Sequence, residues 1–281
     1  MIHVTTTKTS SADEEIPRPS SLVPRPSVRF VLVRTSHPGN IGAAARAIKT
    51  MGFQRLVLVQ PAQFPHEEAV ALAAGAGDVL EQAVVVPDLV AAVADCELVL
   101  GCTARRRHVQ LPELTPREAG VRAAAELTRS QVAIVFGNER TGLENDELMR
   151  CHAAVHIPAD PAFSSLNLAQ AVQVLAYELR LATLARARED AVPEGSESSA
   201  AEPDEPPATV EQLEHFFTHL AQTLDDIDFH KGRSPRTIMK RLRRLFLRAD
   251  LEQREVRILR GIFDDAQRMA KLAGDRQRKG D

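Results

Sequence analysis

The chain has 281 residues, 44% of them hydrophobic, and a formal charge of −3, enough to bury a substantial core as one large and one small domain. No apolar run approaches the length of a membrane-spanning helix, which excludes that class of protein. Cys96, Cys102 and Cys151 are odd in number and lack C-x-x-C spacing, so a disulfide framework or zinc site is not expected, and a reduced cytoplasm fits best.

In chain order, residues 1–27 hold 13 Ser, Thr and Pro with no apolar block, and read as a disordered leader that is neither signal peptide nor core element. Residues 28–186 then alternate in the β–α manner. Apolar runs predict strands at Val28–Val33, Arg55–Val59, Ala83–Val86, Leu98–Cys102, Gln131–Phe136 and Ala153–Ile157. Alanine-rich stretches between them predict helices at Gly42–Met51, Glu67–Gln82 and Pro116–Thr128. A last helix starts near Asn167, and its Leu168, Val172, Leu175 and Leu179 form a stripe that would lie on the sheet. The fold class is α/β, doubly wound, with a mostly parallel sheet.

Residues 187–208 carry seven acids and one base among Pro and Ser, the composition of an acidic flexible linker about 25 Å in mean span. Residues 209–275 read as a small module of three helices. Thr209 with Gln212 forms a capping box ahead of Leu213, Phe216, Phe217, Leu220 and Leu224. Ser234–Pro235 opens the second helix, with Ile238, Leu242, Leu245 and Phe246 inward and its arginines outward. Asp250 with Gln253 is expected to cap the third, with Val256, Leu259, Ile262, Phe263 and Met269 inward. From residue 209 onward there are 16 Lys/Arg against 12 Asp/Glu, a local charge of +4. Lys231, Arg233, Arg236, Lys240, Arg241, Arg243, Arg244 and Arg248 have no acid among them. Such a run suits the phosphates of RNA, and the scarcity of aromatic residues argues against a broad base-stacking platform.

Two stretches carry the chemistry, 36–53 and 136–167. Each begins where a strand stops, and each gathers small residues, amides, hydroxyls and a charged group, as α/β proteins do at their sites. Neither G-x-G-x-x-G nor G-x-x-x-x-G-K-[ST] is present, so a dinucleotide site or NTPase lacks support. His215 with His219, and His152 with His156, read as ordinary structural histidines rather than metal ligands.

The segments HPGNIGAAARAIKTMGF, FGNERTGL and IP…SSLNLAQAV, in this order and spacing, resemble the three motifs of SPOUT-class RNA 2′-O-ribose methyltransferases. The likeness is closest to the TrmJ-type tRNA methyltransferase family. It runs from about Val28 to Arg180 and continues more loosely through DFHKGRSPRTIMKRLRRLFLRADLEQREVRILRGI. The resemblance implies a trefoil-knotted α/β domain, a homodimer, S-adenosylmethionine as cofactor, and tRNA rather than DNA as partner. The reaction it implies is 2′-O-methylation of cytidine or uridine at position 32 of the anticodon loop. By the same resemblance Cys102, Thr103, Ala104, Gly137, Ile157, Ser164, Ser165 and Leu166 hold the cofactor. Asn40, Arg46, Glu139 and Asn167 surround the reacting ribose, with Arg46 in the catalytic place. The basic run predicts RNA contact through Lys231, Arg233, Arg236, Lys240, Arg241 and Arg244, and Arg105, Arg106 and Arg107 are expected to add to that surface.

On the residues alone, Ser164 and Ser165 serve equally as a helix N-cap. Glu139 either holds its loop or touches the substrate. Asn40 either binds ribose or fixes Arg46, or simply shapes the turn. Two other functions stay open: an RNA-binding protein that kept the fold without the chemistry, and a methyltransferase acting on ribosomal RNA.

Overall fold

Aliphatic and β-branched runs form seven strands: β1 (Ser27–Val33), β2 (Arg55–Val59), β3 (Val84–Val86), β4 (Leu98–Cys102), β5 (Glu113–Leu114), β6 (Gln131–Phe136) and β7 (Ala153–Val155). All pair in parallel, in the order β3-β2-β1-β6-β4-β7-β5. The computed structural model describes residues 27–104, 111–189 and 205–280. The leader up to residue 26, most of the linker, and Arg105, Arg106 and Arg107 therefore lie outside the described residues.

Parallel strands are covered on both faces, and side-chain alternation assigns each face its core. Phe30, Leu32, Leu56, Leu58, Leu98, Leu100, Ile134 and Phe136 point one way. They meet α1 (Pro38–Thr50), α2 (Glu67–Ala73), α5 (Pro116–Glu126) and α7 (Leu168–Glu189). The stripe of Leu168, Val172, Leu175 and Leu179 on α7 is buried there. Val31, Val33, Val57, Val99 and Val135 point the other way, toward Leu89 and Val93 of α4 (Leu89–Val93) and Leu148 of α6 (Asn145–Leu148). Small residues let the helices close in. A Cβ on Gly42 of α1 would fall 2.0 Å from the Ala69 carbonyl oxygen of α2.

The helix expected over Glu67–Gln82 is instead two, α2 and α3 (Gly77–Glu81). Between them Ala74 and Gly75 have φ of 41° and 91°, left-handed values that end one helix and redirect the chain. The first helix begins at Pro38 rather than Gly42, so Asn40 lies in its opening turn and not in a preceding loop. The short elements α4, β5 and α6 had no counterpart in the sequence pattern.

The C-terminal residues form α8 (Val210–Asp226), α9 (Pro235–Arg248) and α10 (Gln253–Gly280). The Thr209–Gln212 capping box is present, and Leu213, Phe216, Phe217, Leu220 and Leu224 are buried. The inward set of α10 is narrower than expected: Val256 is buried and Leu259 and Phe263 pack on the cluster, but Ile262 and Met269 are exposed. On α9 Leu245 is exposed and Leu247 is buried instead. Asp250 does not cap α10. It turns back with φ of 47° and pairs with Arg122 of α5 at 2.7 Å, while the Gln253 amide donates to the Pro206 carbonyl.

These helices are docked on the sheet domain. The Val210 and Glu211 amides donate to the Cys96 and Ala94 carbonyls, and Val210 joins the core under β4. No helix among the described residues is long and apolar enough to cross a membrane.

Candidate active site

Strand register decides which loops meet. Leu32, Phe136, Cys102 and Val155 stand in one row across β1, β6, β4 and β7. The segments leaving these strands therefore start level and converge at the carboxyl edge of the sheet, where open α/β sheets bind ligands. Arg34 leaves β1 with φ of 52°, its amide held by the Val59 carbonyl at 2.8 Å. Its carbonyl accepts the Asn138 side-chain amide at 2.6 Å, and its guanidinium pairs with both Glu144 and Glu147. The loop after β1 is thus fastened to the loop after β6.

Glu139 is the centre of the fastening. Its carboxylate accepts the Ser36 amide at 2.9 Å, the Ser36 hydroxyl at 2.9 Å, the His37 amide at 3.3 Å and the Asn40 side-chain amide at 2.9 Å. Partial burial pushes this carboxyl's pKa up. The Ser36 amide, Asn40 and the Ser36 hydroxyl outweigh burial and hold it below the usual range. Asn40 passes the link on, its Oδ1 accepting the Asn167 amide at 3.0 Å. Asn167 in turn caps α7: its Oδ1 accepts the Ala169 amide at 2.8 Å, and Gln170 reaches back to the Asn167 amide. That fills the capping position expected of Ser164 and Ser165, which instead line the adjoining pocket.

The pocket is bounded by Cys102, Thr103 and Ala104, by residues 136–142, and by Ile157, Ser164, Ser165, Leu166, Leu168 and Ala171. Cys102, Phe136, Ile157, Leu166, Leu168 and Ala171 give it an apolar part, beside the polar side chains of Thr103, Asn138, Glu139, Arg140, Thr141, Ser164 and Ser165. Gly137 is required by closeness, since a Cβ there would lie 2.1 Å from the main chain of Gly142 and Leu143. Thr103 donates its amide to Val155 at 2.9 Å, and its carbonyl meets His156 Nδ1 at 3.2 Å, holding the first and last walls together. Burial pushes the Cys102 thiol up to about 12, so it stays protonated at neutral pH.

All eight residues expected at the cofactor thus line one pocket. Of the four expected at the ribose, Glu139, Asn40 and Asn167 form one hydrogen-bonded chain, and Arg46 does not join it. Arg46 lies six residues beyond Asn40, about 9 Å along α1 and about 120° round it. It is exposed, and its side chain makes no ion pair or hydrogen bond among the described residues. Sequence reasoning passed over Asn138 and Arg34, although an amide and a cation flanking the two strand ends were the available signal.

The basic run divides. Arg243 does not face outward: it pairs with Glu214 at 2.6 Å and covers the Phe217 ring at 4.3 Å. Arg233 folds back on the carbonyls of Phe229 and His230. Lys231, Arg236, Lys240 and Arg241 are exposed and unpaired among the described residues, while Arg244 is half-buried and partnered.

The model of the SpoU rRNA Methylase family matches residues 27–177, and that of the tRNA methyltransferase TrmJ C-terminal domain matches residues 211–276. The chain is 49% identical over 245 residues to the tRNA (cytidine/uridine/adenosine-2′-O-)-methyltransferase TrmJ of Pseudomonas aeruginosa, covering 87% of this chain and 95% of that one. It is equally similar, at 49%, to the tRNA (cytidine/uridine-2′-O-)-methyltransferase TrmJ of Yersinia pestis, covering 87% and 93%. The crystal structure of TrmJ from Z. mobilis superposes with a TM-score of 0.70 at 36% identity, covering 84% of this chain and 97% of that one. The chain therefore belongs to the SpoU methylase family, within its TrmJ group of tRNA methyltransferases.

Proposed function

We propose that this protein transfers a methyl group from S-adenosylmethionine to a ribose 2′-oxygen of tRNA, at cytidine or uridine 32 of the anticodon loop. The observation that carries the reading is the chain Glu139–Asn40–Asn167 joining the segments that follow β6, β1 and β7 beside one pocket, in a TrmJ relative. The pocket suits such a cofactor. Residues 102–104 and 137–142 with their main-chain groups, apolar Ile157, Leu166 and Leu168, and the hydroxyls of Ser164 and Ser165 would hold it. Bound there, S-adenosylmethionine supplies a methyl group on a positively charged sulfur, and no covalent enzyme intermediate is needed.

The chain's own part is positioning and charge. A guanidinium offers hydrogen-bond donors and no acceptor, so Arg46 is not the base. Exposed and unpaired among the described residues, it clamps the phosphate next to the target and lowers the proton affinity of the ribose hydroxyl. Glu139 is a holding group, its carboxylate already taken by donors from Ser36, His37 and Asn40. The hydroxyl proton passes to water. Cys102, protonated, does not compete for the methyl group.

In the same proposal, the module at 209–275 anchors tRNA phosphates through Lys231, Arg236, Lys240 and Arg241, with Arg233 and Arg244 beside them. The acidic segment 187–208 tethers that module to the domain at 28–186. A second copy covers the apolar stripe of Tyr177, Leu181 and Leu184 left exposed on α7, giving a cytoplasmic homodimer. The chain's path is a trefoil, supported by β7 entering between β4 and β5 before α7 returns beside α5. The test is transfer of labelled methyl from S-adenosylmethionine to unmodified tRNA and, separately, to ribosomal RNA. Incorporation into tRNA alone is expected. Incorporation into ribosomal RNA alone would move the substrate class, and cofactor binding without any transfer would favour a binding protein.

A further inference from the structure

The last loop of the site carries a large side chain that neither the pocket nor the core uses. Phe163 is 84% exposed, the highest value among the exposed large hydrophobic residues described. It is also the one member of that group in a loop at the carboxyl edge of the sheet. The ring is presented from a held turn: the Asp160 carboxylate accepts the Ala162 amide at 2.8 Å, and the Asp160 carbonyl accepts the Phe163 amide at 3.0 Å. The next three residues, Ser164, Ser165 and Leu166, line the pocket, whereas Phe163 does not. The residue after them, Asn167, is tied to Asn40. The ring therefore stands on the rim, between the pocket and solvent.

A flat apolar side chain kept against water beside a site for RNA calls for a flat apolar partner. Unpaired loop nucleotides supply one, since their splayed bases stack on aromatic rings. Arg140, exposed and lining the same pocket, offers a cation for a neighbouring phosphate. Resting on the function proposed above, we infer that Phe163 is a substrate-positioning residue that stacks on a nucleobase of the tRNA loop at or beside the methylated nucleotide. Stacking there fixes the ribose over the pocket without reading the identity of the base.

The test uses the full chain and three substitutions, Phe163→Ala, Phe163→Leu and Phe163→Trp. Steady-state methyl transfer is measured against tRNA at saturating cofactor, alongside cofactor affinity by calorimetry and oligomeric state by light scattering. Phe163→Ala is expected to raise the KM for tRNA about tenfold, with cofactor affinity and oligomeric state unchanged. Phe163→Trp is expected to restore KM, and Phe163→Leu, apolar but without a flat face, to leave it raised. An unchanged KM in Phe163→Ala, or rescue by Leu equal to that by Trp, would overturn the inference. So would loss of cofactor affinity in step with KM, which would put the ring over the cofactor, or a change of oligomeric state, which would put it against a second copy. Absence of transfer from the unsubstituted chain is a separate result, overturning the functional reading and this inference together.

Discussion

The loops at the carboxyl edge of the sheet and the helix α9 both concentrate polar and charged residues, and they treat them in opposite ways. At that edge nearly every such group is answered from another segment: Arg34 by Glu144 and Glu147, Glu139 by Ser36, His37 and Asn40, Asn40 by Asn167. On α9 and the turn before it, Lys231, Arg236, Lys240, Arg241 and Arg248 are left unanswered among the described residues. A closed network holds geometry, which suits a reacting centre. An open row of cations gives long-range attraction that salt weakens, which suits a polyanion. Arg46 sits on a loop-proximal helix yet is unpaired among the described residues, and Arg243 and Arg244 sit on α9 yet are partnered. Those exceptions make the contrast testable.

The largest effect is expected at Arg46. Arg46→Ala should fold, bind cofactor normally and lower kcat about 10²- to 10³-fold. Near-normal turnover in a single-turnover assay would remove it from the mechanism.

Next comes His152, buried at the start of β7 against the helical module, where it accepts the Val99 amide at 3.0 Å. Burial, then the Arg122 charge, lowers its pKa from 6.5 to about 4. Between those values the unfolded chain binds a proton that the folded chain refuses, so stability is full above 6.5 and falls as pH drops. The loss by pH 4 should reach about 3 kcal/mol. Urea titrations across that range check it, and His152→Gln, which keeps an acceptor for Val99, should remove this part of the slope.

Arg243→Ala should destabilise the helical module by about 2 kcal/mol, because it strands half-buried Glu214 and uncovers Phe217. Its effect on the salt dependence of tRNA binding should be small. The reverse holds for Arg236, Lys240 and Arg241 replaced together by Ala. Thermal stability should not change, affinity should fall about tenfold, and the slope of log affinity against log salt should become shallower by about 3. If Arg243 changed the slope and the other three changed stability, the contrast would be inverted.

The sheet and its partners were legible because long periodic signals are redundant. Six strands and the α7 and α8 stripes rest on several apolar positions each. Single-residue signals did worse. Asp250 and Gln253 have the spacing of a cap, but Arg122, 128 positions away, claims the carboxylate. The break at Ala74–Gly75 turns on two adjacent left-handed residues in an alanine-rich run, where propensity favours continuing the helix. At the site, the eight residues that line one pocket were named through resemblance, and the register of Leu32, Phe136, Cys102 and Val155 accounts for their convergence. For Glu139 the sequence left holding the loop and touching the substrate both open, since the partners it holds lie about a hundred positions off.

The most direct test of the account is alkaline hydrolysis of tRNA treated with this protein and S-adenosylmethionine, because a methylated 2′-oxygen leaves the following phosphodiester uncleaved. One new resistant bond, after nucleotide 32 of the anticodon loop, is the expected result. Incorporated methyl with no resistant bond would place it on a base and contradict the proposed ribose chemistry.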